Sequence, residues 1–256
     1  MNATAHKHRL PVGLLVASGI ALVILLALGT WQVERLEWKE ALIASTMQRL
    51  NDAPLPLAAM EEIYAKEGTV DYRPVTVTGR FDHAGERHFL ATHAGGAGYH
   101  VYTPLQLDDG RFVFINRGFV PYEKKDPAKR AEGQVDGRVV IIGLARDRLS
   151  GKPSMFVPDN DPAGNVFYWK DWTAMVASSG LADADKVVPF FIDADDAPNP
   201  GGLPVGGVTI IDFPNNHLQY ALTWYGLAAA LAAVVGVWLW RYHRAPANRP
   251  GLDKRG

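Results

Sequence analysis

The sequence predicts an integral membrane protein of the α+β class, with two transmembrane helices flanking one extracytoplasmic β-rich domain that carries short helices. Two uncharged apolar runs near the ends of the 256 residues, and an alternating β pattern between them, carry that prediction. The runs are Leu10 to Gly29 and Tyr220 to Trp240. Each holds about 20 residues, or about 30 Å of α-helix, which matches the hydrocarbon core of a bilayer. The spans are accordingly placed at 10–30 and 220–240. A cleaved signal peptide is the competing reading of the first run, but a signal core is about 7 to 15 residues and this run is longer.

Orientation follows from the cationic flanks. Lys7 and Arg9 precede the first span, and Arg241, Arg244, Arg249, Lys254 and Arg255 follow the second. Segments 1–9 and 241–256 are therefore expected in the cytoplasm and 31–219 outside it. Arg35 and Lys39 weaken the contrast at the first span, although Glu34, Glu37 and Glu40 accompany them. Gly13, Ala17 and Ala21 recur every fourth residue, as do Ala228, Ala232 and Gly236. Those small faces predict close helix approach.

Between the spans, Trp31 to Leu50 continues as helix, with Trp31, Arg35, Trp38 and Leu42 on one face. Residues Asn51 to Pro56 break it, and Leu57 to Lys66 reads as a shorter helix ending at Gly68. From Tyr72 the pattern turns to β. Strands are predicted at Val75 to Phe81, His88 to Thr92, His100 to Leu107, Arg111 to Asn116 and Arg138 to Ala145, with a hairpin turn at Asp108-Asp109-Gly110. A helix at Trp169 to Ser179 and strands at Val187 to Ile192 and Gly207 to Asp212 complete the domain.

Composition removes several functions. The formal net charge is −1, so no broad basic surface suggests nucleic acid. With no cysteine, disulfides, thiolate zinc sites, covalent c-type haem attachment and Cys catalysis are all excluded. No nucleophile elbow, phosphate loop or dinucleotide fingerprint occurs, and nothing points to an enzyme.

The strongest candidate site residue is His217. Pro214 and Asn215 break the preceding segment, Asn216 is placed to cap a helix, and Gln219 falls at its third position. His217 then opens the helix at its positive end, where neutral, metal-coordinating imidazole is favoured. Tyr220, Ala221 and Trp224 share its face at i+3, i+4 and i+7, a surface against which a porphyrin could lie. An interfacial histidine bonded to headgroups or backbone is the plainer alternative. Other clusters read as structure. His83, His88, His93 and His100 are expected to be exposed turn and strand residues. The Asp159-Asn160-Asp161 run lacks the remaining features of a calcium loop, and Asp193, Asp195 and Asp196 read as a solvated turn.

Several stretches, taken together, resemble the Surfeit locus protein 1 family of cytochrome c oxidase assembly factors. They are GTWQVERLEWK (Gly29 to Lys39), YRPVTVTGRFDHAGE (Tyr72 to Glu86), VFINRGFVP (Val113 to Pro121), GLARD (Gly143 to Asp147), FVPDNDPAGNVFYWKD (Phe156 to Asp171), FFIDA (Phe190 to Ala194) and PNNHLQYALTWYGLA (Pro214 to Ala228). The resemblance implies a protein of the bacterial inner membrane with a periplasmic central domain, acting in biogenesis of the haem a centre of oxidase subunit I. It also implies haem a binding, with His217 as the candidate axial iron ligand; on that reading the span aromatics Tyr220 and Trp224 are expected against the macrocycle, and the β-rich domain is expected to dock subunit I or haem a synthase. Arg35 and Lys39, at the outer end of the first span, are candidate propionate partners by topology. A cofactor-free scaffold that stabilises a subunit I intermediate is the alternative function.

Overall fold

The structure is a computed structural model that describes residues 11–181, 183–209, 211 and 213–244. Of the cations that set the predicted orientation, Lys7, Arg9, Arg249, Lys254 and Arg255 lie outside the described residues, as do Leu10, Ile210 and Asp212. The chain divides into two compact units. One holds Met1–Ala44 and Phe213–Gly256, the other Ser45–Asp212.

The first unit is helical. Helix α1 runs Val12–Leu50 without interruption, about 58 Å at 1.5 Å per residue. It joins the apolar run to the amphipathic stretch after it, as expected from the absence of any Gly or Pro between Trp31 and Leu50. The other long helix, here α4, spans His217–Arg244. Both are long and apolar enough to cross a membrane, and their apolar side chains remain exposed within the chain. A core helix of a soluble protein would bury that surface.

Of the small-residue stripes that the sequence suggested as helix contacts, Ala228 is enclosed, whereas Gly13 and Gly236 stand clear of any neighbour. A Cβ at Gly13 or Gly236 would meet nothing within 4 Å. The close approach falls at Gly29, where a Cβ would lie 2.7 Å from Cε1 of Tyr225, and at Ala221 and Ala228, each 2% exposed. Regular spacing marks where helices can touch; the facing side chains decide where they do.

The second unit is β-rich. After a break at Asn51 to Pro54, the two-residue strand β1 (Leu55–Pro56) leads into α2 (Leu57–Glu67). Gly68 ends α2 in the left-handed region at φ 74°, its N–H donating to Tyr64 O. The remaining strands are β2 (Arg73–Phe81), β3 (Arg87–His93), β4 (Gly96–Leu107), β5 (Phe112–Pro121), β6 (Arg138–Asp147) and β7 (Val187–Ala194). A short helix, α3 (Trp172–Ser178), precedes β7. Asp171 caps it by accepting the Ala174 N–H at 3.0 Å.

Strand order is β1-β2-β6-β7-β5-β4-β3, and β2 pairs additionally with β4 through Gly79↔Leu107 to Phe81↔Leu105. That last pairing closes β2, β6, β7, β5 and β4 into a five-stranded barrel, with β1 and β3 as flanking strands. Gly79 permits the closure, since a Cβ there would meet the Gln106 carbonyl. One core, around Val75, Leu105, Ile115, Phe190 and Ile192, packs with α2, and a second, around Tyr102, Phe114, Phe167 and Phe191, packs with α3.

Three strand expectations change, the first at β4, which begins at Gly96 rather than His100. Strand β5 runs five residues past Asn116 to Pro121, because a bulge sustains its pairing with β4. At 207–209 and 211 no strand forms; Val205 makes the β contact instead, exchanging N–H···O bonds of 2.8 Å with Phe119.

Candidate functional site

Helix α4 begins at His217, as the capping pattern predicts. The Asn216 carbonyl accepts the Tyr220 N–H at 3.2 Å. The side-chain acceptor at this helix start is Asn215 rather than Asn216: its Oδ1 lies 3.4 Å from the His217 N–H.

Within the helical unit, His217 Nδ1 stands 2.7 Å from Oε1 of Gln32 on α1. Gln32 is 8% exposed, a polar side chain enclosed at the end of an apolar run. Facing an amide oxygen, Nδ1 donates, and in the neutral form of the ring the lone pair is then on Nε2. Among the described residues Nε2 makes no hydrogen bond. Metal-ligating histidines share this arrangement: one ring nitrogen held by an acceptor, the tautomer and ring plane thereby set, and the other nitrogen open. An imidazole nitrogen left open in this way is the kind of donor that would hold a haem iron.

Around it, Ala221 and Ala228 lie on the enclosed stripe of α4, and Trp224, two turns after His217, is half-buried on the same stripe. Tyr220, one turn after His217, is 54% exposed. Tyr225 OH lies 3.1 Å from Thr30 Oγ1, a second polar contact between the helices. Arg35 is exposed, its guanidinium 4.6 Å over the Trp38 ring. Gln32 is the residue that sequence reasoning missed. It lies 185 positions from His217, and only its uncharged amide at the boundary of the first span hinted at a partner.

In the β-rich unit the histidines are not the exposed set that the sequence suggested. His88 is 4% exposed, its Nε2 2.9 Å from Glu86 Oε1. Arg130 also reaches Glu86, its Nη1 donating to Oε2 at 3.1 Å. Burial alone would raise the Glu86 pKa, but the hydrogen bonds from His88 and Arg130 hold the carboxyl below its ordinary value. His100 packs against Phe89 and Phe119, and burial pulls its pKa down to about 4. His83 Nε2 contacts Val135 O at 3.0 Å, and His93 stacks on Phe119. Among the described residues no three His, Asp or Glu side chains are grouped to hold a metal ion.

Asp193 likewise departs from the expected solvated turn. It is 3% exposed and accepts from Asn116 Nδ2 at 3.0 Å and Thr209 Oγ1 at 2.9 Å, as a member of β7 whose side chain points inward. The Asp159 to Asp161 segment is a structured turn. Asn160 Oδ1 accepts the Tyr168 N–H at 2.7 Å, and Asp161 Oδ1 accepts the Gly164 N–H at 2.9 Å.

The sequence model of the SURF1 family matches residues 19–229, from the first apolar run into the second long helix. The chain belongs to the SURF1 family. It is similar to Surfeit locus protein 1 of Mus musculus, 42% identical over 79% of this chain and 68% of the relative. The corresponding human protein is 39% identical over 79% of this chain and 70% of its own length. A SURF1-like protein of Monosiga brevicollis is 37% identical over 90% and 87%. The matched region includes both Gln32 and His217.

Proposed function

We infer that the chain is a membrane-anchored assembly factor for cytochrome c oxidase that binds haem a and presents it for insertion into oxidase subunit I. The observation that carries this reading is the His217–Gln32 contact of 2.7 Å at the start of an apolar helix. When bound, haem a would supply an iron that accepts a histidine nitrogen, together with an apolar tail and two propionates. His217 Nε2 would hold the iron, and Gln32 would keep that nitrogen unprotonated and aimed. Trp224 would pack against the macrocycle, with Tyr220 and the exposed Arg35 as further cofactor contacts, Arg35 toward a propionate. The apolar helices would anchor the protein in the bacterial inner membrane, with both termini cytoplasmic and the β-rich unit in the periplasm. That unit would dock subunit I or haem a synthase, and the exposed Met155 and Phe156, 85% and 89% accessible, are its most prominent apolar side chains for such a contact.

The test is co-purification from cells that make haem a. The unmutated protein should carry a Soret band that His217→Ala loses, and Gln32→Leu should retain haem about tenfold more weakly, the scale of an outer-sphere loss. In the metal-free protein, nitrogen NMR should place the His217 proton on Nδ1, and Gln32→Leu should shift that tautomer. Equal haem in wild type and His217→Ala would remove the ligand role and favour the cofactor-free scaffold.

A further inference from the structure

The acceptor that holds His217 Nδ1 is an amide and not a carboxylate: Oε1 of Gln32, at 2.7 Å. A carboxylate in that place would draw the ring proton towards itself and make the imidazole a more basic, more electron-rich ligand. Hydrogen bonds to a neutral partner are roughly half as strong as those to an ionised one, so Gln32 fixes the ring without lending it negative charge.

The surroundings act in the same direction. Helix α1 carries no charged residue from Val12 to Val33, and α4 carries no Asp or Glu from His217 to Arg244. Glu34, two positions after Gln32, is exposed, and residues two apart on a helix do not share a face. Trp31, Val33, Leu218 and Ala221, which adjoin Gln32 and His217 on the two helices, are all apolar. His217 also opens α4, and the positive end of a helix dipole opposes further positive charge. A positive charge gained beside Nε2 would thus meet an apolar setting and no adjoining carboxylate, which makes it costly.

We propose that the site selects by oxidation state: it holds ferrous haem in preference to ferric haem, and Gln32 is the positioning residue that sets the preference through His217. This rests on the haem reading above. Porphyrin is a dianion, so a ferric centre carries one net positive charge that a ferrous centre lacks. Second-shell hydrogen bonding and burial are the protein's means of favouring one over the other. The uncharged ring, the amide behind it and the apolar helices all favour the centre without that charge. The preference is one of binding, and the chain itself neither gives nor takes an electron.

The experiment uses the full chain in lipid nanodiscs at pH 8. Protein from cells lacking haem a is titrated with haem a, once reduced with dithionite and once oxidised with ferricyanide, and the loaded protein is titrated spectroelectrochemically. The ferrous form should bind at least tenfold more tightly than the ferric. Gln32→Glu, of the same shape, should lower the midpoint potential by about 59 mV or more, a tenfold loss of the preference for a one-electron couple. Gln32→Leu removes the acceptor without adding charge, and should leave the potential unchanged or raise it even as it weakens retention. A merely structural role would move both variants alike. Circular dichroism should be the same in all three proteins, since Gln, Glu and Leu are all good helix formers. Equal affinity for the two oxidation states, a potential that Gln32→Glu does not lower, or equal shifts in both variants would overturn the proposal and leave His217 as ligand. Unmutated protein that takes up no haem would instead remove the haem reading, and this one with it.

Discussion

Gly118 on β5 and Gly29 on α1 both stand where a neighbour comes too close for a side chain, but the neighbours differ in kind. A Cβ at Gly118 would run into the carbonyl of Val205, and the residue sits at φ 118°. At Gly29 the obstacle is the Tyr225 ring, a side chain that can rotate. In the β-rich unit Gly79, Gly98, Gly118 and Gly143 each approach a backbone carbonyl. In the helical unit the close approaches are single side-chain contacts: Gly29 on Tyr225, Thr30 to Tyr225, Gln32 to His217. A closed barrel cannot yield at one point without breaking hydrogen bonds elsewhere, whereas a pair of helices can adjust. The candidate haem ligand lies in the adjustable unit.

Breaking the rigid side should have the largest effect. Gly118→Ala combines a disallowed φ with a clash against backbone and should cost roughly 3 to 5 kcal/mol, read as a loss of unfolding midpoint in denaturant. A cost below about 1 kcal/mol would mean that the Val205 contact is not tight.

Next comes acid sensitivity. His100 has its folded pKa lowered by burial from 6.5 to about 4, so between those values the unfolded chain binds the extra proton. The corresponding stability is fully present above pH 6.5 and is lost as pH falls towards 4, by roughly 1 to 3 kcal/mol. His100→Gln should flatten that part of the stability profile, and an unaltered slope would assign the acid response to other groups.

The smallest effect belongs to the helix pair. Thr30→Val and Tyr225→Phe in a double-mutant cycle should show a coupling of about 0.6 kcal/mol, the usual scale for a polar contact between membrane helices. A coupling several times larger would place the two-helix unit beside the barrel in rigidity and undo the contrast.

Much of the architecture was legible beforehand. The two apolar runs, the uninterrupted helix through Leu50, the Gly68 stop, the Asp108-Asp109-Gly110 hairpin and the start of α4 at His217 all follow from local chemistry: hydropathy over a helix length, propensity, capping and turn geometry. The missed features are non-local. Barrel closure through Gly79 and Leu107, the bulge that extends β5, and the burial of His88 and Asp193 depend on which strand lies beside which, and residue spacing within one strand does not encode its neighbour. The site divides in the same way. His217 announced itself through residue type and position at a helix start. Gln32, its partner across 185 residues, became visible only when two helices were brought together, because a hydrogen bond depends on distance in space and a sequence records distance along the chain.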